Sequence, residues 1–197
     1  MIRKYYIQIG LAVAVIGILA YSFSGSPDFH DLTQKSFEDY KNGIINGADR
    51  LVLEENRDGF DFFTPEKKWV IEAEFIPENS GREFEMLMTD STTEVAQLKG
   101  VASFKFENSN VKVLIFEEEA SYLLPFKDLT NGKTTYGGGR YINLPKEALK
   151  GDKLEIDFNR ARNYYCVYTE QYICPVPPPE NSLKIAVEAG EKIFKKK

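Results

Sequence analysis

The chain has 197 residues, a formal net charge of −5, 43% hydrophobic residues, and 14 Phe with 11 Tyr. This length suits one domain with a true core, and the aromatic load suits a β-rich one. Arg3 and Lys4 are two of the 25 basic residues and all 30 acids fall at or after Asp28, so the part from Asp28 onward carries −7 and lacks the basic face of a nucleic-acid binder.

Between Tyr5 and Pro27 there is no charged residue, and from Ile7 to Phe23 only Gln8 and Ser22 interrupt the apolar run. A helix of about 19 residues spans roughly 28 Å, close to the hydrocarbon thickness of a bilayer. Arg3 and Lys4 before it, with Asp28 and Asp31 after it, put the C-terminal part outside the cytoplasm by the positive-inside bias. The competing reading is a cleaved signal peptide, with Ser22, Ser24 and Gly25 near a cut site. The segment has no cysteine, which excludes a lipobox, and its length favours an uncleaved anchor. Either way residues 1–27 form the anchor or signal plus a link. Residues 28–197 form one extracytoplasmic domain, with the membrane as a partner through the N-terminal helix.

After the link Ser24-Gly-Ser-Pro27, the residues Leu32, Phe37, Tyr40 and Ile44 recur at near-helical spacing. This predicts an amphipathic helix over 31–46, with Asp31 as N-cap, Gln34 as its N3 partner and Gly43 or Gly47 as the end. The period then changes to two. Trp69, Ile71, Ala73 and Phe75 alternate with polar neighbours, and Phe84, Met86 and Met88 repeat the pattern after the turn at 77–81. Strands at 102–106 and 111–115 flank a hairpin turn at Asn108-Ser-Asn110, and strands at 121–126 and 133–144 flank Asn131-Gly132. Further strands are expected at 154–158, 164–168, 172–174 and 183–187. The fold class is therefore mainly β: an antiparallel sandwich or barrel-like domain with one short N-terminal helix.

Cys166 and Cys174 lie equally far from Glu170 in the polar stretch Thr169-Glu-Gln171. If that stretch is a hairpin turn, the cysteines face each other within disulfide reach. In an exported domain the bridge persists, and closing a loop of about nine residues contributes about 2–3 kcal/mol. A metal site or a reactive thiol is the alternative, but two Cys and the single His30 fall short of four zinc ligands, so a structural disulfide is favoured and no metal and no cofactor are expected. With only His30, and that in the stalk, His-based catalytic triads are excluded as well. The run Cys174-Pro-Val-Pro-Pro-Pro179 cannot be a central strand and reads as a stiff polyproline connector over a sheet edge, with room for a cis bond.

Tyr136-Gly-Gly-Gly-Arg140-Tyr141 has the glycine content of an anion cradle, yet no helix pattern follows it; a bulge or close backbone packing is the structural alternative. Asp157, Asn159 and Arg160 are polar positions in a run otherwise built from Leu154, Ile156 and Phe158. A buried Asp157 needs Arg140 or Arg160 as partner, since an unpaired buried carboxylate is costly.

At these residues a family resemblance emerges. Leu124-Pro-Phe126 with Asp128, Thr130-Asn-Gly132, Thr135 to Tyr141, Asp157-Phe-Asn-Arg-Ala161, Cys166, Cys174 to Asn181 and Ala189-Gly-Glu191 resemble the bacterial and archaeal family DUF1684, a domain of unknown function. The likeness is specific from Leu124 to Glu191 and looser back to Phe37. Arg162-Asn-Tyr164 stands where the family usually reads Tyr-Asn-Pro, and Asp49-Arg-Leu51 lies near the place of its early Ser-Pro-Leu. The resemblance implies that Asp128, Arg140, Asp157, Asn159, Arg160 and Asn181 form one local assembly, and it supplies no activity. The expected role is non-catalytic binding of a small polar or anionic ligand, or of an envelope partner, through Tyr136, Arg140, Asp157, Asn159, Arg160 and Asn181. A carboxylate-based hydrolase using Asp128 and Asp157 as acid and base, with Arg140 holding an anion, is the catalytic rival. A purely structural envelope protein is the third reading.

Overall fold

The computed structural model describes residues 28–196. The predicted N-terminal anchor or signal segment lies outside these residues; among the described residues no helix is long and apolar enough to cross a membrane. The β-structure and every site below belong to one compact unit, Thr33–Lys197, while the described part of the other unit, Met1–Leu32, is the beginning of helix α1.

Helix α1 (Phe29–Asn46) starts two residues before the sequence expectation, so Asp31 sits in its first turn and is not the cap. It buries Phe37, Ile44 and Ile45, and Ile44 and Ile45 join a small cluster with Val52, Phe60 and Tyr168. Besides this helix and six short 3-10 turns, the described residues form a single antiparallel sheet of eight strands: β1 (Val70–Pro77), β2 (Glu83–Leu87), β3 (Thr93–Phe106), β4 (Ser109–Glu117), β5 (Ser121–Phe126), β6 (Arg140–Pro145), β7 (Leu149–Lys150) and β8 (Lys153–Asp157). The order is β6-β5-β4-β3-β1-β8-β7, with β2 also on β3. Among the described residues the mainly β, antiparallel class holds but no second sheet forms: the strands make one open sheet.

The long strand β3 explains how eight strands share one sheet. Its first half pairs with β2 and its second half with β1, and a bulge between Leu98 and Gly100 marks the exchange. Gly100 is required there, because a Cβ would lie 2.4 Å from the Ile76 carbonyl oxygen. The hairpin between β3 and β4 turns at residues 107–108, with Glu107 at φ 51°, one residue earlier than the Asn-Ser-Asn signal placed it.

One face of the sheet carries Phe75, Ala102, Val113, Ile115, Leu124, Ile142, Leu154 and Ile156, covered by Leu183, Ile185, Val187 and Ala189 of the C-terminal segment. The other face packs Met86, Leu98, Phe116, Leu123 and Tyr141 against Tyr164. That covering segment is where the sequence reading differs most. The strands expected at 164–168, 172–174 and 183–187 do not form: Tyr165–Val167 is a 3-10 turn, and isolated bridges such as Met88 to Pro175 and Lys127 to Ser182 hold the rest. The apolar alternation of 183–187 is real, but it serves to lay a covering strip over a finished sheet. Likewise the strand expected from 133 begins only at Arg140, because 127–139 is a hydrogen-bonded loop in which Gly132 takes φ +74°.

The polyproline run lies on the β2 edge as expected: Val176 donates to the Leu87 carbonyl at 2.7 Å and Thr89 to that of Cys174 at 2.9 Å. Among the described residues every peptide bond is trans.

Candidate functional site

Arg140 opens β6 with a fully buried side chain. Its Nη2 donates to Asp128 Oδ2 at 2.9 Å and to the Val187 carbonyl at 2.7 Å; its Nη1 donates to the carbonyls of Ala189 and, at 3.3 Å, Glu191. Burial pulls the guanidinium pKa down while Asp128 pulls it back up. Asp128 Oδ1 accepts from the Thr130 amide at 2.7 Å, the Thr130 hydroxyl at 2.5 Å and the Val187 amide at 3.3 Å. The pair therefore pins the C-terminal strip to the loop after β5, and an incoming ligand would have to displace those bonds to reach either charge.

Asn181, also fully buried, does a different task. Leu114 N–H donates to its Oδ1 at 2.7 Å, and its Nδ2 donates to the carbonyls of Leu114 at 2.9 Å and Pro125 at 2.7 Å. Strands β4 and β5 pair only at Phe116/Leu123 and Glu117/Tyr122. The next rung would need an amide proton from Pro125, which has none. The Asn181 carboxamide supplies the missing rung.

The glycine run around Tyr136 is a tight turn. Asn131 Nδ2 donates to the Tyr136 carbonyl at 2.8 Å, and Gly139 sits at φ +108° with a Cβ position only 2.7 Å from Pro177 and 2.8 Å from the Phe126 carbonyl oxygen.

Asp157, Asn159 and Arg160 stand together where β8 ends. Asp157 Oδ1 accepts from the Asn159 amide at 3.0 Å and from its Nδ2 at 2.9 Å. Asn159 in turn clamps Glu66, accepting from its N–H at 3.0 Å and donating to its carbonyl at 3.1 Å. Arg160 Nε lies 3.5 Å from Asp157 Oδ2, with side-chain exposures of 53% and 20%. These two charged groups border a cleft of about 290 Å³ lined by Ile142 to Pro145 of β6, by Glu147, Ala148 and Lys150, and by Glu155 of β8. Because β6 is one edge of the sheet and β8 with β7 the other, the cleft is the seam of the sheet.

Cys166 and Cys174 form a disulfide with Cα atoms 6.2 Å apart. The bridge closes an irregular loop and not the hairpin from which it was anticipated.

The residues expected to form one assembly thus make three: Asp128 with Arg140, Asn181 alone between β4 and β5, and Asp157 with Asn159 and Arg160. The hydrogen-bond partners of Asp128 and Asp157 have no residue in common.

Sequence reasoning missed a fourth polar cluster. Glu191 is fully buried; its carboxylate accepts from Tyr168 Oη at 2.7 and 2.8 Å and from the Asn163 amide at 2.9 Å. Tyr168 Oη lies 2.9 Å from Tyr40 Oη on α1, and the Arg162 guanidinium rests 4.1 Å from the Tyr40 ring centre. Burial pushes the Glu191 pKa up to about 7, against the opposing pull of Asn163, Tyr168 and Arg162. Burial and then Glu191 push both tyrosines well above their ordinary value. Ala189-Gly-Glu191 was visible as a motif, but Tyr40 looked like one more apolar position of the helix.

Fold and site together define a single-sheet antiparallel β module whose C-terminal segment is fastened by buried polar ties. Residues 55–192 match the model of the DUF1684 family, described as a protein of unknown function, and the chain belongs to that family. No curated protein matches. Among solved structures, the chain is similar to an uncharacterised protein of Haloarcula marismortui determined by solution NMR, with 27% identity, a TM-score of 0.64, and coverage of 81% of this chain and 91% of that one.

Proposed function

We propose that this protein is a non-catalytic, extracytoplasmic binding module, tethered by its N-terminal apolar segment, that takes a small polar ligand in the seam cleft between β6 and β8. The observation that carries the reading is the cleft itself: an opening of about 290 Å³ bordered by both sheet edges, with the half-exposed Arg160 guanidinium at its rim. Pockets for small ligands usually pair apolar walls with a few placed polar groups, and this cleft has the more exposed Pro145 and Ala148 beside Asp157 and Arg160. Binding is favoured over hydrolysis because Asp128 and Arg140, two of the three groups a carboxylate mechanism would use, are spent on internal bonds. An oxidising location agrees with the Cys166–Cys174 bridge.

Native mass spectrometry of the purified full chain in detergent, incubated with pooled amino acids, dicarboxylates and short peptides, tests the reading. We expect a non-covalent adduct that Arg160→Glu abolishes without lowering the melting temperature. A bare chain under every pool, or an adduct indifferent to Arg160→Glu, would overturn it.

A further inference from the structure

The cleft is a slot with two closed ends. Its frame is one continuous stretch of chain: β6, the turn Lys146–Ala148, β7, β8 and the turn Phe158–Arg160. The frame is tied shut where Tyr141 N–H donates to the Arg162 carbonyl and Arg162 N–H to that of Tyr141, both at 2.9 Å. The two long walls therefore run antiparallel, like a hairpin held open by its own connections.

Main-chain groups line both walls. Tyr141 uses its N–H and C=O on Arg162, away from β5, so by strand alternation those of Asn143 also face the slot. On β8, the Asp152 carbonyl accepts from Phe75 of β1, so Leu154 and Ile156 point to β1; β7 faces Glu155 through Ala148, and the main-chain groups of Asp157 point to the slot side. From Ile142 to Pro145 the β6 wall is about 10 Å long at the usual strand rise. An extended tripeptide has that length, and a single amino acid reaches only about a third of it.

The charges are laid out along the same axis. Arg160 stands at one end, held on one side by Asp157, with its side chain 53% exposed. Glu147 stands at the other end with the exposed Lys150, and Glu155 lies between, so acids outnumber bases three to two. We propose that the ligand of this slot is a short free peptide of two or three residues in extended form. Its carboxylate meets the Arg160 guanidinium, its ammonium meets Glu147 or Glu155, and its amides pair with the edges of β6 and β8. This rests on the binding role proposed above and narrows it to one ligand class. Main-chain pairing gives affinity without side-chain preference, so the slot discriminates by length and by free termini.

Isothermal titration of the full chain in detergent with trialanine, N-acetyl-trialanine amide and alanine tests the assignment. Trialanine is expected to bind saturably, and the blocked tripeptide and alanine each at least tenfold more weakly. Asn143→Pro removes one slot-facing N–H that the β5 ladder does not use, and it should weaken trialanine at least fivefold with an unchanged melting temperature. If Asn143→Pro lowers folding, the comparison of blocked and free peptide on the unaltered chain still decides. Equal binding of the blocked peptide, or of alanine, overturns the peptide assignment. So does no heat with trialanine while another polar molecule binds in an Arg160-dependent way, an outcome that leaves the binding role standing. Loss of both signals removes both.

Discussion

Replacing Glu191 by glutamine should change how stability depends on pH. The carboxyl is fully buried and its pKa rises from an ordinary 4.5 to about 7. Tyr168 and the Asn163 amide touch it; Arg162 acts on it through space, and Arg140 donates to its main-chain carbonyl. The fold prefers the protonated acid. Its contribution to stability is therefore fully present below about pH 4.5, is lost as pH rises toward 7, and stays lost above that. At 1.36 kcal/mol per pKa unit the swing is about 3 kcal/mol, a sizeable share of a typical domain's stability. Urea unfolding of the wild type and of Glu191→Gln, measured from pH 4 to 8.5, gives two curves whose difference cancels every other titrating group. That difference should fall by about 3 kcal/mol across the interval, with the variant gaining on the wild type as pH rises. A flat difference would mean that Asn163, Tyr168 and Arg162 outweigh burial, and the account of this cluster would be refuted.

Three further perturbations concern the other ties. Asp128→Asn leaves the Arg140 guanidinium buried without its counter-charge and should cost about 3–5 kcal/mol in urea unfolding. Arg140→Met should cost more, since it also leaves the carbonyls of Val187, Ala189 and Glu191 without a donor; a milder Arg140→Met would show that those carbonyls find other partners. Asn181→Leu keeps the volume but empties three bonds between β4 and β5, and a loss of about 3 kcal/mol is expected. Hydrogen exchange at the Leu114 amide should rise in that variant before exchange elsewhere in β4 does.

The strands that could be read from sequence were those with one face on each side of a packed sheet. Ala73 and Phe75, Phe84 and Met86, or Val111, Val113 and Ile115 alternate because the pleat alternates, so the period reports the fold directly. The segment from Arg162 to Ala189 misled for the opposite reason. It buries Leu183, Ile185 and Val187 at the same period, yet it pairs with almost nothing. Its main chain is satisfied by side chains and single bridges: Lys127 to Asn181, Leu183 to Lys127, Cys174 to the Thr89 hydroxyl. A pattern of buried residues says which side faces the core and is silent on whether a neighbouring strand is there.

The polar motifs had a related ambiguity, and resolving it changes where function should be sought. Asp128, Arg140, Asn159 and Asn181 stood out because ordinary cores do not need them. Each proves to be needed by backbone that the sheet leaves unpaired: the C-terminal carbonyls, the Glu66 peptide, the rung that Pro125 cannot make. Apart from the buried Arg140 Nε, which has no partner, these polar atoms are committed to that backbone and closed off from a ligand. The open seam is different, because β6 and β8 are held apart by short turns and the alternation of each strand turns the main chain of Asn143 and Asp157 toward it. No side-chain motif marks such a place, since its chemistry is the peptide group itself. Asp157 and Arg160 were the residues in the sequence that pointed to it, and of the two only Arg160 keeps half of its side chain in solvent.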